Sequence, residues 1–212
     1  MIDRMSAPRK PIIGITGGIG SGKSFIADLF GEEACLVIKA DDLVGRAYED
    51  PTVQATLRQW WGDQVIAATG VVDRKAIAER VFNDEPQRKR LENLIHPIVA
   101  TLRDRMMAKA ADDPQVLAFI WDTPLLFETG LNRHCDAVVF VDAPFDLRLQ
   151  RVQQSRGWDQ GELTRRENLQ LPLDRKRNLS DYTISNASDT ADARRQVQEV
   201  LSRILSNPPS PR

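Results

Sequence analysis

The stretch GGIGSGKS, residues 17–24, decides the fold of this 212-residue chain. It satisfies the spacing G-x-x-x-x-G-K-[ST], in which glycines let successive backbone N–H groups curl around an anionic phosphate at the start of a helix. The apolar stretch PIIGIT (11–16) precedes it and predicts a short buried strand, while KSFIADLF (23–30) carries apolar residues at helical spacing. Strand, glycine-rich loop and helix in this order are the context that the motif requires, and they disfavour a glycine-rich turn without a ligand.

Two kinds of ligand contact are expected at this loop. Lys23 would reach the β and γ phosphates of a nucleotide, and the Ser24 hydroxyl would bind Mg²⁺, which takes oxygen ligands and usually keeps several waters. Asp122 ends a later apolar run and is a second candidate metal ligand; the alternative is a turn aspartate that caps the next segment. The loop residues expected to bind the nucleotide are Gly18, Ile19, Gly20, Ser21, Gly22, Lys23 and Ser24.

Four further apolar runs predict strands, at residues 35–40, 116–122, 137–143 and 182–186. The runs at 116–122 and 137–143 are continuously apolar, which is typical of strands buried on both faces of a parallel sheet. Helical patterns fill the intervals between the runs. The alternation predicts a doubly wound α/β fold, and with the glycine-rich loop this is the three-layer α/β/α architecture of P-loop NTPases with a parallel sheet.

Two segments interrupt this alternation. The first, at about 43–111, is mostly helical by pattern and contains no convincing buried strand. The second, at about 148–176, is polar and arginine-rich, as is typical of a mobile helical cover. We therefore expect a single domain over residues 11–206 that carries an inserted helical domain and a lid. The core is expected at about 11–42, 112–147 and 177–206, the insertion at about 43–111, the lid at about 148–176 and a flexible tail at 207–212.

The balance of charge narrows the expected partners. Lys and Arg number 29 against 30 for Asp and Glu, so the field of the whole protein gives no reason to expect binding to nucleic acid or to an anionic membrane. No apolar run approaches the roughly 18 residues needed to cross a bilayer. Cys35 and Cys135 are the only cysteines and fit neither a disulfide framework nor a paired zinc site. We expect a cytoplasmic protein, assumed to be monomeric.

The function classes that share this loop differ in the molecule to which they transfer the phosphate. Switch GTPases transfer phosphate to water and usually carry an N-K-x-D loop after a later strand; the nearest candidate here, VDAPFD (141–146), has neither Asn nor Lys. A motor or helicase would need a much longer chain. A kinase of a small molecule is therefore favoured, and a nucleotide-binding regulatory module without an acceptor is the alternative from another class.

A more specific resemblance covers the chain from about Ile12 to about Asn186. The segments GITGGIGSGKS, IKADDL, LENLIHP, DTPLLFETGL, VVFVDAP and RRENLQLPLDRKRNLSDYTISN resemble, in this order, the successive motifs of the dephospho-CoA kinase family. The resemblance implies transfer of the γ-phosphate of ATP, with Mg²⁺, to the ribose 3′-hydroxyl of dephospho-CoA. This reaction is the last step of coenzyme A synthesis. The rival within the same class is a nucleoside or nucleotide kinase.

The resemblance aligns Asp41 with the second Asp of the family's D-A-D motif and so implies that it faces the acceptor hydroxyl. A carboxylate just past a strand's carboxyl end lies beside the mouth of a phosphate loop, where it can accept a proton. The alternatives are that Asp41 caps the next helix or that Asp42 is the base. Lys39 stands where the family usually has the first Asp, which makes Asp122 a substitute metal ligand.

Two further motifs imply contacts with the acceptor. His96 precedes Pro97 in a dipeptide that the family keeps near the substrate, although a lone histidine is more often structural. The segment PLLFE reads by pattern as a hydrophobic turn that packs onto a helix. The resemblance implies that it lines the acceptor pocket, through Leu125, Leu126, Phe127 and Glu128.

The expected lid supplies arginines. Arg148, Arg151 and Arg156 follow the fourth strand at spacings that turn a helix toward the nucleotide, and the family's R-x-x-x-Q motif falls at 166–170. Arginine suits a triphosphate because its planar fork donates two hydrogen bonds and stays charged. We expect catalytic roles for Arg148 and Arg151 and nucleotide binding by Arg156; the alternative is a solvated charged face. Asn186 matches a family asparagine near the adenine.

Overall fold

The computed structural model describes residues 9–67, 69–82 and 84–207, and the described chain divides into two compact units. The first unit contains residues 9–39 and 109–207, and the second contains residues 40–108. The second unit begins and ends slightly earlier than the insertion expected at 43–111. The expected tail lies, beyond Asn207, outside the described residues.

The described part of the first unit contains one five-stranded parallel sheet with strand order β2-β3-β1-β4-β5. All five strands predicted from the sequence are confirmed, with ends that differ by no more than a few residues. The strands are β1 (Ile12–Gly17), β2 (Cys35–Lys39), β3 (Ala118–Asp122), β4 (Ala137–Asp142) and β5 (Tyr182–Ser185). The loop that follows β1 lies at the carboxyl edge of the sheet, where open α/β folds bind ligands. β1 itself lies between β3 and β4.

Helices cover both faces of the sheet. On one face, α1 (Lys23–Glu32) and α9 (Thr190–Ser206) bury Ile26, Phe30 and Val197 against the strands. Each such side chain contributes about 1.5–3 kcal/mol when removed from water. On the opposite face the chain approaches β1 closely, since a Cβ at Gly14 would lie only 2.6 Å from the Leu126 side chain.

Three helices follow β4 and form the segment expected to be the lid. They are α6 (Phe145–Arg156), α7 (Gln160–Glu167) and α8 (Leu173–Asn178). Asp159 begins α7 by accepting a hydrogen bond from the Glu162 N–H at 2.8 Å, as favourable N-cap residues do. Gly157 ends α6 in the left-handed conformation with a φ of 68°.

The second unit is helical and has a core of its own. It contains α2 (Ala40–Tyr48), α3 (Pro51–Trp61), α4 (Arg74–Phe82) and most of α5 (Glu85–Ala110). Leu57 and Trp61 of α3 are buried together with Leu91 and Ile95 of α5. Apolar residues at helical spacing therefore close this unit around its own core. No helix among the described residues combines the length and the apolar character that spanning a bilayer demands.

Candidate functional site

The loop between β1 and α1 has the backbone geometry of an anion site. Gly20 and Gly22 have φ angles of 76° and 86°, a region that residues with side chains rarely occupy. A Cβ at Gly22 would lie 2.2 Å from Asn186 Nδ2, and one at Gly20 would lie 2.6 Å from the Arg148 carbonyl oxygen. Gly22 has no side chain to cap α1, so the first N–H groups of the helix and its dipole can face an anion.

Lys23 lies directly beneath this loop. Its Nζ donates to the carbonyl oxygens of Gly18 at 2.8 Å and Gly17 at 3.2 Å. The pKa of Lys23 is lowered to about 8, first because the ammonium is buried and then because of the positive charge of Lys176, while Asp122 acts to raise it. An anion placed at the loop would favour the charged lysine and relieve this unfavourable arrangement.

The candidate metal ligands fit Mg²⁺ in number and chemistry. Ser24 is exposed in the first turn of α1, and Asp122 is buried at the carboxyl end of β3, paired in register with Ile15 and Lys39. Among the described residues no group of three or more His, Cys, Asp or Glu could hold a metal ion. Mg²⁺ commonly takes only one or two protein oxygens and completes its shell with phosphate oxygens and water, so the two residues suit a metal that arrives with a nucleotide.

Arg148 of α6 is bound to the backbone of the phosphate loop. Its Nε donates to the Ala143 carbonyl at 3.2 Å and its Nη1 to the Ile19 carbonyl at 3.1 Å, and it forms an ion pair with Glu167. The residue is only 5% exposed. The loop backbone and Glu167 thus engage this guanidinium, and the expected catalytic role of Arg148 stays a prediction.

Arg151, one helical turn further along α6, supports the next part of the loop. Its Nη1 donates to the Ser21 carbonyl at 3.1 Å and, more weakly, to the Gly20 carbonyl at 3.4 Å. Its Nη2 donates to the Asn186 carbonyl at 3.0 Å. Like Arg148, it binds carbonyl groups of the loop, and its expected catalytic role stays a prediction.

Asn186 completes this support from the end of β5. Its Nδ2 donates to the Ser21 carbonyl at 2.7 Å, and its own N–H donates to the Asp142 carbonyl at 2.7 Å. The residue is 4% exposed. The sequence marked Asn186 as a nucleotide contact, whereas the structure gives its amide group a partner within the loop itself.

Arg156 differs from the other two lid arginines because it is exposed at the end of α6. Its guanidinium carbon lies 4.7 Å from the centre of the Trp158 ring, a cation–π distance. Its charge also acts to lower the pKa of Lys23. Of the three arginines, Arg156 is the exposed one, and its expected contact with the nucleotide stays a prediction.

Glu167, which the sequence reading missed, contacts the same loop. Its Oε1 accepts a hydrogen bond from the Ile19 N–H at 3.3 Å and pairs with Arg148. Nothing local in the sequence distinguishes this carboxylate, because it lies in a stretch full of charged residues and its partner N–H is far away in the chain. The sequence could have pointed to Glu167 only as one of several acidic residues near the arginine-rich helices.

The segment after β3 is divided between core and lid. Leu126 is fully buried, so it is a core residue rather than a pocket-lining one, while Leu125 is exposed and Phe127 is half-buried. Its burial supports the packing alternative for Leu126, and the contact expected with the acceptor stays a prediction.

Glu128 is held by the lid. Its Oε1 lies 2.9 Å from Lys176 Nζ and accepts from the Leu171 N–H at 2.9 Å, and Lys176 also donates to Gln170 Oε1 at 3.0 Å. Although burial acts to raise it, the pKa of Glu128 is lowered because Lys176 and the Leu171 N–H donate to the carboxylate. Glu128 therefore fixes the start of α8 instead of presenting a free carboxylate.

The remaining expected residues belong to the second unit. Asp41 and Asp42 are exposed in the first turn of α2, directly beyond the carboxyl end of β2. His96 is exposed on α5, immediately before Pro97. An acidic side chain in a first helical turn is favoured by the helix dipole, so the capping alternative for Asp41 stays open beside the catalytic one.

Comparison with known proteins shows which family the chain resembles over most of its length. A family model described as dephospho-CoA kinase matches residues 11–192. The chain is 40% identical over 177 residues to the dephospho-CoA kinase of Anaeromyxobacter dehalogenans, with 83% of each chain covered, and 35% identical over 196 residues to that of Syntrophotalea carbinolica, with 92% of each covered. A solved structure from Thermus thermophilus superposes with a TM-score of 0.79 at 31% identity, covering 92% of this chain and 98% of the other. The chain belongs to the dephospho-CoA kinase family.

Proposed function

We propose that the chain transfers the γ-phosphoryl group of ATP, in the presence of Mg²⁺, to the ribose 3′-hydroxyl of dephospho-CoA, producing CoA and ADP. The observation that carries the proposal is the match to the dephospho-CoA kinase family over residues 11–192. The phosphate loop between β1 and α1 supports it, because its glycine backbone and Lys23 are suited to holding a nucleotide.

The reaction forms one bond and breaks one. The acceptor oxygen bonds to the γ-phosphorus, the bond between that phosphorus and the oxygen bridging to the β-phosphate breaks, and the hydroxyl proton leaves to a base. Catalysis of this kind consists mostly of positioning and of stabilising the charge on the phosphoryl oxygens. In our proposal the N–H groups at the start of α1 and the Lys23 ammonium offset the negative charge on those oxygens, and Arg156 adds a further cation.

We assign Ser24 and Asp122 to hold Mg²⁺, which when bound neutralises charge on the nucleotide's phosphates. The assignment of Asp122 as a metal ligand is supported by Lys39, which occupies the place of the first Asp of the family motif. Lys39 Nζ lies 2.6 Å from the Asp28 carboxylate of α1, so this position offers a paired cation in place of a metal-binding oxygen. Asp122, next to Lys39 in the sheet register, is left as the strand-end carboxylate.

Asp41 is our proposed proton acceptor. It follows β2 directly in the chain, and open α/β folds bind ligands just past the carboxyl ends of their strands. A general base of this kind contributes about 10²–10⁴-fold to the rate. For the acceptor itself we propose His96, Leu125 and Phe127 as contacts, with Leu125 and Phe127 offering apolar surface to the pantetheine or adenine group.

Two coarser properties complete the proposal. One is a cytoplasmic setting, which is supported by two cysteines that are far apart in the sequence and buried in the structure. The expectation of a monomer that binds neither nucleic acid nor membrane stays a prediction.

The test is a coupled assay of ADP release with and without dephospho-CoA, run beside nucleosides and nucleoside monophosphates as acceptors. We expect ADP release to depend on dephospho-CoA. Preference for another acceptor would point to the nucleotide-kinase alternative, and slow hydrolysis unaffected by every acceptor would point to a regulatory module.

Three variants assign the residues in the same assay. Lys23→Ala is expected to lose turnover, and Asp41→Asn to lose turnover while keeping ATP affinity. Asp42→Asn is the matched control, because it makes the same chemical change one residue further along α2. Normal turnover in Asp41→Asn with a loss in Asp42→Asn would transfer the base assignment to Asp42.

A further inference from the structure

The last residue of α7 holds the phosphate loop from outside. The Glu167 carboxylate accepts from the Ile19 N–H, and Arg148, its ion-pair partner, donates to the Ile19 carbonyl. The N–H and C=O of Ile19 are therefore held by two oppositely charged side chains that are bound to each other. Both side chains are shielded from water, with 6% of Arg148 and 18% of Glu167 exposed.

The packing leaves little freedom to this arrangement. A Cβ at Gly18 would lie 2.9 Å from Arg148 Nη1 and 3.2 Å from Glu167 Oε1, so the pair is packed directly against the backbone of the loop. Arg148 is also fixed from behind by its bond to the Ala143 carbonyl. Any displacement of α7 that removes Glu167 takes away a hydrogen bond from the loop and leaves a buried guanidinium without its counter-charge, which is costly.

We propose that Glu167 is a positioning residue that couples the order of α7 to the shape of the phosphate loop. The inference rests on the proposed nucleotide binding at that loop. Because coupling between two sites is reciprocal, loosening the end of α7 weakens nucleotide binding, and nucleotide binding in turn holds α7 in place.

The chain supplies a matched control on the same helix. Glu162 is also a carboxylate of α7 that binds arginine, but its partners, Arg165 and Arg166, belong to α7 itself. Substituting Glu162 removes the same charge from the same helix and leaves the loop untouched.

The experiment compares Glu167→Gln with Glu162→Gln in the full chain, with ADP as the probe. Calorimetry is expected to show that Glu167→Gln binds ADP about tenfold more weakly, in line with coupling energies between groups in direct contact. Hydrogen exchange is expected to be faster over residues 157–172 in this variant, with less protection by ADP than in the wild-type chain. In turnover assays the KM for ATP should rise more than kcat falls. Glu162→Gln should match the wild type in ADP affinity, in the protection that ADP adds, and in KM and kcat.

Several outcomes would overturn the coupling. An ADP dissociation constant and exchange pattern equal to those of the wild type would do so. So would a loss of thermal stability that is equal with and without ADP and leaves ADP affinity unchanged, because a purely structural ion pair behaves in that way. If Glu167→Gln does not fold, Glu167→Asp keeps the charge at a shorter reach and is expected to show a smaller loss of the same kind. A wild-type chain that fails to bind ADP would instead overturn the proposed function.

Discussion

In α6, Arg148 and Arg151 donate to backbone carbonyls of the phosphate loop, whereas in α7, Arg165 and Arg166 donate to Glu162 on their own helix. The two helices are adjacent in the chain and are both rich in arginine. The arginines of α6 shape the phosphate loop, whereas those of α7 bind a carboxylate of their own helix, whose contact with the loop comes from Glu167. The difference shows that an arginine's energetic worth follows from its burial and from where its partner lies, and helix composition reveals neither.

The largest effect expected from this comparison is on stability. Arg148→Ala removes the counter-charge of Glu167 and a donor to the Ile19 carbonyl, so we expect the free energy of unfolding to fall by about 3 kcal/mol. Arg165→Ala, the control in α7, is expected to cause no measurable change. Urea denaturation monitored by circular dichroism measures both. Equal losses in the two variants would break the comparison.

Asn186 tests whether the same support extends to β5. Asn186→Asp keeps the shape of the side chain but sets an acceptor against the Ser21 carbonyl, so we expect the free energy of unfolding to fall by about 2 kcal/mol. ADP affinity should fall with it. The same substitution at Asn93, which is exposed in the middle of α5, provides the control and should change stability by no more than about 0.5 kcal/mol. If Asn186→Asp changes neither stability nor ADP affinity, the loop is supported by α6 and not by β5.

The dependence of ADP binding on pH tests the charges around Lys23, which include Lys176 of α8. With the pKa of Lys23 near 8 in the free protein, bound phosphates favour its charged form, so binding takes up a proton above that pH. In metal-free buffer we expect ADP affinity to fall as pH rises through 8, by at most about tenfold per pH unit. The same lowered pKa makes the folded chain bind fewer protons than the unfolded chain, so Lys23 raises stability as pH climbs from about 8 to 10.5.

Substituting Lys176 sharpens this test. Lys176→Met removes the positive charge that acts on Lys23, so the midpoint of the affinity change is expected to move to higher pH. Calorimetric titrations between pH 7 and pH 10 measure the shift. An affinity that is independent of pH, or a midpoint that moves downward, would contradict the charge arrangement around the loop.

The smallest effect is expected at Glu162. Hydrogen bonds from Arg165 and Arg166 lower the pKa of Glu162 to about 2, so any stability it adds is present above its usual pKa of 4.5 and is lost as pH falls toward 2. Melting curves of Glu162→Gln and the wild type should therefore converge over that range, and also in 1 M salt, because exposed pairs are screened. A difference that persists in high salt would show that α7 is less independent than its contacts indicate.

Much of the fold was predictable because its signals are local. The glycine loop and the apolar runs that became β3 and β4 identify themselves within a few residues, as hydrophobic patterns do. The contacts that shape the site are not local. Glu167 meets Ile19, and Asn186 meets Ser21, only after the sheet has brought distant segments together.

For some residues the structure shows contacts that the sequence did not predict. Leu126 belongs to an apolar turn whether it faces a pocket or the core, and the structure buries it next to Gly14. Arg148 and Arg151 were expected to reach phosphates because arginine suits them, yet their donors are used by loop carbonyls. Residue type predicts which groups can bind, while the geometry of the fold decides which group is within reach.

The most direct test of phosphoryl transfer to dephospho-CoA is to identify the product by ³¹P NMR. The purified chain is incubated with MgATP and dephospho-CoA, with Lys23→Ala as the control. We predict a new phosphate monoester on the ribose 3′-oxygen that forms in equal amount to ADP and is missing with the variant. ADP formed without this ester, or an ester at another position, would contradict the proposed reaction.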